Sequence, residues 1–129
     1  MLDHVSLGTA NLARARKFYD AALKPLGYKM VLPVPGYGYG YGAVKGDARF
    51  WIGLPLAKRR KPRASAGTHV AFVAENRKAV DAFYKAAIRA GAKDNGKPGL
   101  RPEYHANYYG AFVFDPEGHA IEAVCHKPE

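Results

Sequence analysis

Two well-separated segments of the chain have the pattern of polar and apolar residues that is typical of a β-strand. In residues 3–7, His4 and Ser6 fall on one face and apolar residues on the other. Residues 68–73 form a second predicted strand, with His69, Ala71 and Val73 on one face. A period of two residues is typical of a half-buried strand. The same criteria predict further strands at residues 28–32, 49–54, 111–114 and 120–125.

Two other segments carry apolar residues at helical spacing. The first follows Asn11, a residue type that commonly caps a helix, and we expect it to end at Pro25 and Gly27. The second follows Asn76, and Gly91 stands where a helix commonly stops. The predicted apolar faces are Ala15, Phe18, Tyr19, Ala22, Leu23 and Leu26 in the first helix, and Val80, Phe83, Tyr84, Ala87 and Ile88 in the second.

The two halves of the chain resemble each other at one offset of 65 residues. The pairs are His4-Val5 with His69-Val70, Phe18-Tyr19 with Phe83-Tyr84, Ala22 with Ala87, and Leu23 with Ile88. A repeat at fixed offset indicates two copies of one strand–helix–strands module. We therefore predict a single domain over residues 1–129. It consists of module 1 (residues 1–57) and module 2 (residues 66–127), joined by a basic, proline-containing linker (residues 58–65).

The repeat places two histidines at equivalent positions. If the two curved sheets lie side by side, His4 and His69 face a common concave surface. Glu122 lies in the last predicted strand among apolar neighbours, where a carboxylate needs a partner. Two imidazoles and one carboxylate can occupy one face of an octahedral divalent metal and leave positions open for substrate. The alternatives are surface histidines and a salt bridge from Glu122 to an arginine or lysine.

The charge of the chain is strongly positive, at a formal +9. Much of the excess lies in the run Lys58-Arg59-Arg60-Lys61-Pro62-Arg63. We interpret this run first as an exposed loop. Nucleic-acid binding ranks last among the functions considered, because basic residues are not interleaved with exposed aromatics. An anionic or aromatic small-molecule substrate is compatible with the charge.

Three further features of the sequence bear on location and chemistry. The single cysteine, Cys125, excludes an internal disulfide framework, and we interpret it as a small core residue. No basic segment precedes an apolar run at the start of the sequence, and no apolar stretch reaches the ~20 residues of a membrane helix. The expected location is the cytoplasm, with no membrane partner.

The chain resembles the vicinal oxygen chelate superfamily, the group of glyoxalases, bleomycin-resistance proteins and extradiol dioxygenases. The residues that carry the resemblance are Asp3-His4-Val5, Arg16-Lys17-Phe18-Tyr19, Leu26-Gly27-Tyr28, Thr68-His69-Val70-Ala71-Phe72 and the run from Phe112 to Glu122. The resemblance implies an α+β fold in which two βαβββ modules form a curved mixed sheet around a central metal cleft. It also implies a divalent metal bound by His4, His69 and Glu122, and a homodimer.

The reaction that the resemblance implies is less specific than the fold. Glyoxalase I-type members have a fourth ligand on the last strand of the first module, where this chain reads Phe50-Trp51-Ile52-Gly53 and Trp51 takes that position. We favour glyoxalase-like lyase or isomerase chemistry on a substrate with vicinal oxygens, in which Glu122 also moves a proton. The alternatives are an extradiol dioxygenase with a two-histidine, one-carboxylate Fe(II) site and a drug-binding protein without enzymatic activity. Fe, Mn, Ni, Co and Zn all suit these ligands.

Other aromatic and histidine residues are candidates for contact with the substrate. Trp51, His105 and Tyr109 are predicted to line the pocket, although the segment around His105 could instead pack its aromatics on the sheet. The Gly-Tyr alternation of residues 36–42 predicts either an aromatic flap over the pocket or a flexible surface hairpin, with its tyrosines on one face. His119 and His126 flank the last strand and are expected to be exposed.

Overall fold

The computed structural model describes residues 1–56 and 61–129. Its first half consists of β1 (Val5–Gly8), α1 (Leu12–Leu23), a short 3-10 turn (Lys24–Leu26), β2 (Lys29–Val34), β3 (Gly38–Gly42) and β4 (Phe50–Gly53). Its second half consists of β5 (His69–Val73), α2 (Arg77–Arg89), β6 (Lys93–Leu100), β7 (Tyr109–Phe114) and β8 (Ala120–Cys125).

The strands form two separate four-stranded sheets, with the orders β1-β4-β3-β2 and β5-β8-β7-β6. In each sheet the first and last strands of the module pair in parallel, and the remaining pairs are antiparallel. This arrangement confirms the α+β class and the two βαβββ modules. In the described part of the chain, the two sheets do not close on each other.

Matching caps begin the two helices. The Asn11 side chain accepts a hydrogen bond from the backbone N–H of Arg14 at 3.0 Å, and Asn76 accepts one from Ala79 at 2.9 Å. A side-chain oxygen at this position satisfies one of the four free N–H groups of a helix start. Gly27 ends the first helical segment with φ of 80°, a left-handed conformation that favours glycine. The predicted caps and the helical repeat are therefore confirmed.

Each helix packs its apolar face on one side of its sheet. The buried helix residues are Ala15, Phe18, Tyr19, Ala22 and Leu23 in α1, and Val80, Phe83 and Ala87 in α2. The other side of each sheet carries alternate residues of the same strands, and we call it the open face. Aromatic contacts join the two modules behind the sheets, since Phe72 of β5 packs edge-on against Phe50 of β4 with ring centroids 5.1 Å apart.

The part of the Gly-Tyr run that forms β3 belongs to the core rather than to a flap or a flexible hairpin. Tyr41 is 1% exposed, and its hydroxyl donates to Asp20 of α1 at 2.8 Å. Tyr39 shares the helix side of β3, whereas Tyr37 lies outside the strand. A Cβ on Gly38 would lie 2.2 Å from the Ile52 carbonyl oxygen, so glycine is required where β3 approaches β4.

The sequence pattern does not predict strand β6. Residues Lys93–Leu100 form β6 with the sequence KDNGKPGL, which has neither alternation nor β-branched residues. The pairing of β6 with β7 shifts register twice, around Gly96 and before Gly99. Tertiary pairing with an inner strand therefore determines its conformation, against its local propensity.

A turn of module 2 forms hydrogen bonds that connect the two modules. Asp115 accepts hydrogen bonds from the backbone of Glu117 at 2.9 Å and His119 at 2.8 Å, and from the Tyr19 hydroxyl of α1 at 2.5 Å. Gly118 closes the turn at φ of 95°. The Asp-Pro-Glu-Gly turn is confirmed, and its aspartate holds helix α1 of the other module.

Two more contacts complete this junction. The Glu117 carboxylate accepts from Thr9 at 2.8 Å and pairs with Arg14 at 2.9 Å. His119 lies 2.7 Å through Nε2 from the Gly8 carbonyl oxygen and is 7% exposed. The prediction that His119 is exposed is therefore wrong, because the junction between modules covers it.

Part of the predicted linker lies outside the described residues, namely Lys58, Arg59 and Arg60 of the basic run. The rest of that run is described, and Pro62 lies beside Gly8, where an added Cβ would be 3.2 Å from the proline. No helix in residues 1–56 or 61–129 is long and apolar enough to cross a membrane.

Candidate metal centre

His69 and Glu122 come together on the open face of module 2. Strand β5 pairs in parallel with β8, with His69 opposite Ala120 and Ala71 opposite Glu122. Alternation along both strands turns the two side chains to the same face. The His69 Nε2 atom lies 3.2 Å from Oε2 of Glu122. His69 is half exposed, whereas Glu122 is 1% exposed.

The two oxygens of Glu122 have different surroundings. Oε1 accepts a short hydrogen bond from the hydroxyl of Tyr108. Oε2 is buried and has no hydrogen-bond partner. It is within ion-pair range of His69, but the two groups are not aligned as a hydrogen bond. Since an unpaired buried carboxylate oxygen is costly, a cation is the partner that this oxygen lacks. The donor set thus fits a divalent metal.

Tyr108 is suited to remain a donor to this carboxylate. Burial raises the pKa of the Tyr108 hydroxyl, and the hydrogen bond to Glu122 raises it further. The hydroxyl therefore stays protonated at neutral pH and holds Oε1 in place, while Oε2 stays free.

His4 precedes β1 and lies on the open face of module 1. Its Nδ1 atom lies 2.6 Å from a carboxylate oxygen of Asp3, and this hydrogen bond is the leading cause of the lowered pKa of Asp3. With Nδ1–H donating to the carboxylate, the lone pair of Nε2 is available. A carboxylate behind the imidazole is the usual support of a metal-binding histidine.

The structure does not bring all three predicted ligands together within one chain. His4 lines a pocket with Trp51 and Tyr37, and His69 lines a different one. Among the residues that the structure describes, no group of three histidine, cysteine, aspartate or glutamate side chains is close enough to hold a metal. The candidate ligands of one chain therefore form two separate groups, a carboxylate and an imidazole on module 2 and an imidazole on module 1, and we call these groups the candidate half-sites.

Trp51 occupies the position in module 1 that Glu122 occupies in module 2. Ser6 pairs with Trp51 in the same parallel register in which Ala71 pairs with Glu122. The indole covers Gly40, where an added Cβ would lie 2.8 Å from the ring. Tyr37 packs beside it, with ring centroids 6.2 Å apart. The half-site of module 1 is consequently aromatic, with one imidazole.

The structure corrects the placement of Tyr109. Its hydroxyl donates to Asp81 of α2 at 2.7 Å, and the Arg77 guanidinium lies 5.3 Å from its ring centroid. Tyr109 thus faces the helix side of the sheet, because it has the opposite parity to Phe112, the register partner of Glu122. Tyr108, which has the parity of Phe112, reaches the carboxylate instead. Its position follows from the register of β7 with β8, in which Phe112 is opposite Glu122.

His105 lies near the site without contacting Glu122 directly. Its Nε2 is 2.7 Å from Nδ1 of His126, and the two rings stack. Both rings meet Tyr108 edge-on. His126 is exposed, as predicted. The histidine pair therefore flanks the tyrosine that holds the carboxylate.

Comparison with known proteins identifies the fold and the family. The sequence model described as the Glyoxalase/Bleomycin resistance protein/Dioxygenase superfamily matches residues 1–123. A glyoxalase/bleomycin resistance protein from Albidiferax ferrireducens is 29% identical, with a TM-score of 0.85 and coverage of 99% of each chain. No curated protein matches the chain.

Two more distant structures share the fold. One is a glyoxalase/bleomycin resistance protein/dioxygenase family enzyme from Burkholderia phytofirmans, 20% identical, with a TM-score of 0.71 over 97% of this chain and 98% of that one. The other is a lactoylglutathione lyase from Agrobacterium tumefaciens, 19% identical, with a TM-score of 0.64 over 97% of this chain and 92% of that one. With the family match over nearly its full length and its paired βαβββ modules, the chain belongs to the glyoxalase/bleomycin resistance protein/dioxygenase superfamily.

Proposed function

We propose that this protein is a metal-dependent enzyme that acts on a small substrate through two neighbouring oxygens, with glyoxalase-like lyase or isomerase chemistry. The observation that supports it most is Glu122 Oε2, a buried oxygen without a hydrogen-bond partner, 3.2 Å from His69 Nε2. Evolution seldom retains such a group without a ligand, because it lowers stability.

We propose that the complete site forms between two copies of the chain. His4 and His69 line separate pockets on the open faces of the two modules. If the open face of module 1 meets that of module 2 from a second copy, His4 of one copy joins His69 and Glu122 of the other. A symmetric dimer would then hold two such sites, since a two-fold interface repeats every contact.

The residues of the site have distinct roles in this proposal. A bound divalent metal would supply Lewis acidity to the substrate oxygens. Asp3 orients the imidazole of His4, and Tyr108 holds one oxygen of Glu122. The other oxygen of Glu122 would face the metal, and Glu122 is also the proposed base for a proton next to the substrate carbonyl. Trp51 covers the module 1 side of the cleft and excludes water.

The metal content of the purified protein tests the proposal. We expect near one metal per chain in the wild type and loss in His4→Ala and Glu122→Gln. Glu75→Gln, an exposed carboxylate near the end of β5, is the charge-matched control and should keep the metal. A metal identified as iron would favour the Fe(II) dioxygenase alternative. If no candidate ion binds after reconstitution, the metal-dependent proposal is excluded.

The aromatic half-site supports a second candidate, a binding protein for aromatic compounds without enzymatic activity. Trp51 replaces an acidic ligand at the repeat-equivalent position and packs beside Tyr37. This candidate predicts that ligand affinity is lost in Trp51→Ala and unchanged in His4→Ala. A collapse of affinity in His4→Ala would exclude it.

A further inference from the structure

Arg101 lies on the open face of module 2, close to the candidate metal centre. Its backbone N–H donates to the Tyr108 carbonyl at 2.8 Å, which extends the pairing of β6 with β7 by one step. Leu100 pairs with Tyr109, so Arg101 is opposite Tyr108. Residues directly opposite in an antiparallel pair share a face. Arg101 therefore shares the face of Tyr108, the residue that hydrogen-bonds Glu122.

The guanidinium of Arg101 also lies over Phe112, 5.4 Å from its ring centroid. Phe112 is the register partner of Glu122 on the adjacent strand. It lines the same pocket as His69 and Tyr104. Phe112 is thus adjacent to both the arginine and the carboxylate, and the positive charge lies over a ring that lines the pocket.

Backbone contacts hold this guanidinium in place. It donates to the carbonyl oxygen of Lys97 at 2.7 Å and to that of Leu100 at 3.3 Å. Glycines make the space for it, because a Cβ on Gly99 would lie 3.1 Å from one guanidinium nitrogen and a Cβ on Gly96 3.4 Å from another. A side chain already ordered in this way loses little entropy when it binds a ligand.

The two carbonyl partners of the Arg101 guanidinium do not use all of its N–H donors. Within residues 1–56 and 61–129, no carboxylate lies within ion-pair distance of it. A guanidinium carries five N–H donors, and two carbonyl oxygens engage only part of them. Neutral carbonyl partners also leave its charge uncompensated. An anionic group is the ligand that matches the remaining N–H donors of the guanidinium.

We propose that Arg101 binds an anionic group, a carboxylate or a phosphate, on the substrate, beside the oxygens that reach the metal. This inference rests on the proposed function, since it defines the class of substrate for the same site. The substrate is then a small oxygenated anion, and the net charge of +9 attracts such molecules. The competing interpretation is structural, in which Arg101 only clamps the irregular end of β6.

Two catechols that differ in one charge test the inference. Protocatechuate carries a carboxylate, and protocatechuamide is its neutral amide with the same neighbouring hydroxyls. Binding to the zinc-loaded protein is measured by titration calorimetry, because zinc has no redox chemistry. We expect a preference for protocatechuate of roughly tenfold or more, the size of a charge-assisted pair in a partly desolvated site. The preference should vanish in Arg101→Met and shrink in Arg101→Lys.

Arg77→Met is the matched control. Arg77 also lies over an aromatic ring of β7, but on the helix side of the sheet. Arg77 belongs to α2, and its substitution removes an equal charge from the opposite side of module 2, so the preference for protocatechuate should persist in this variant. A preference that survives in Arg101→Met overturns the inference, as does equal binding of both probes or binding of neither to zinc-loaded protein. A lower melting temperature of Arg101→Met with an unchanged preference would assign the structural role.

The two proposals can fail separately. Zinc binding with no charge preference leaves the proposed function standing and removes Arg101 from it. If zinc does not bind, the proposed function fails, and the same pair of probes is titrated into the unloaded protein. A preference that depends on Arg101 there would preserve an anion site, and its absence would overturn that as well.

Discussion

Glu122 and Tyr108 form the best-defined polar pair of the candidate site. The Tyr108 hydroxyl engages Oε1, and Oε2 is left toward His69. Such a support orients a carboxylate so that one defined oxygen reaches a metal. The cost of losing a support of this kind is typically about 10- to 100-fold in metal affinity.

We therefore expect Tyr108→Phe to weaken zinc binding by about tenfold without abolishing it. The reason is that Glu122 keeps both oxygens but loses the hydrogen bond that selects between them. Calorimetric titration with zinc measures the change. Tyr104→Phe removes a hydroxyl from the ring that packs on Tyr108, at a centroid separation of 4.8 Å, and is the control. Equal affinities for Tyr108→Phe and wild type would remove Tyr108 from the site.

Sequence reasoning located the ligand candidates but not their supports. The repeat points to His69 and an acidic residue in an apolar strand points to Glu122, and the structure places the two side chains in contact. The predicted strand begins at residue 111, whereas β7 begins at Tyr109, so the sequence does not assign Tyr108 or Tyr109 to a face. A shift of one residue turns every side chain of a strand to the other face. Identification of Tyr108 therefore depends on the register of β7 with β8, which the local pattern of residues does not define.

At the scale of elements, the glycines of β3 determine how closely the strands of module 1 approach. Gly38 faces the backbone of β4, and its hypothetical Cβ lies 2.2 Å from the Ile52 carbonyl oxygen and 2.5 Å from Cα of Gly53. Backbone atoms cannot move aside without breaking the pairing of the two strands. The glycines of this alternation thus allow close packing of the strands on one side of β3, and its tyrosines pack in the core on the other side.

Gly38→Ala should lower the free energy of unfolding by about 2 kcal/mol or more, as overpacking against fixed backbone does. Chemical denaturation measures this loss. Gly67→Ala is the matched control, because its Cβ would meet nothing within 4 Å and its backbone is not in the left-handed region. Equal stability of the two variants would mean that β3 and β4 can separate freely.

Elements with strong local signals were predicted, and those defined by tertiary contacts were not. The helices begin after Asn11 and Asn76 as expected, because an amide side chain at a helix start acts within three residues. Strand β6 has no such signal and takes its conformation from β7. The alternation of the Gly-Tyr run predicts strand geometry but not burial, since only the position of α1 decides which face is buried.

At the scale of the whole molecule, the contact between modules depends on an ionised carboxylate. Burial alone would raise the pKa of Glu117. The hydrogen bonds from Thr9 and Ala10 and the charge of Arg14 outweigh it, so the pKa lies below its usual 4.5. The ionised form is therefore favoured in the folded state. Its contribution to stability is present above pH 4.5 and is lost as the pH falls through the lowered pKa.

We expect acid to destabilise the wild type more steeply than Glu117→Gln below about pH 4.5. The variant should also be less stable at neutral pH, because it loses the ion pair with Arg14 across the module junction. Thermal unfolding as a function of pH measures both effects. Glu103→Gln, at an exposed position, should follow the wild-type curve. Parallel curves for Glu117→Gln and wild type would show that the junction does not respond to this charge.

The junction also bears on where the complete site forms. Contacts of Asp115, Glu117 and His119 hold module 2 against α1 and the end of β1 in the same chain. With the modules held in this way, His4 and His69 line separate pockets. This separation is the reason for proposing that a second copy completes the set of three ligands.

A mixed dimer of two variants that are each expected to lose metal binding tests this arrangement directly. His4→Ala and Glu122→Gln homodimers should each fail to hold metal. In a mixed dimer with shared sites, both substitutions fall in one cleft and the other cleft keeps His4, His69 and Glu122 intact. We therefore expect the isolated mixed dimer to bind half the wild-type amount of metal. If each site lay within one chain, every site in the mixed dimer would carry a substitution. A mixed dimer without metal would then place the site within a chain and exclude the shared cleft.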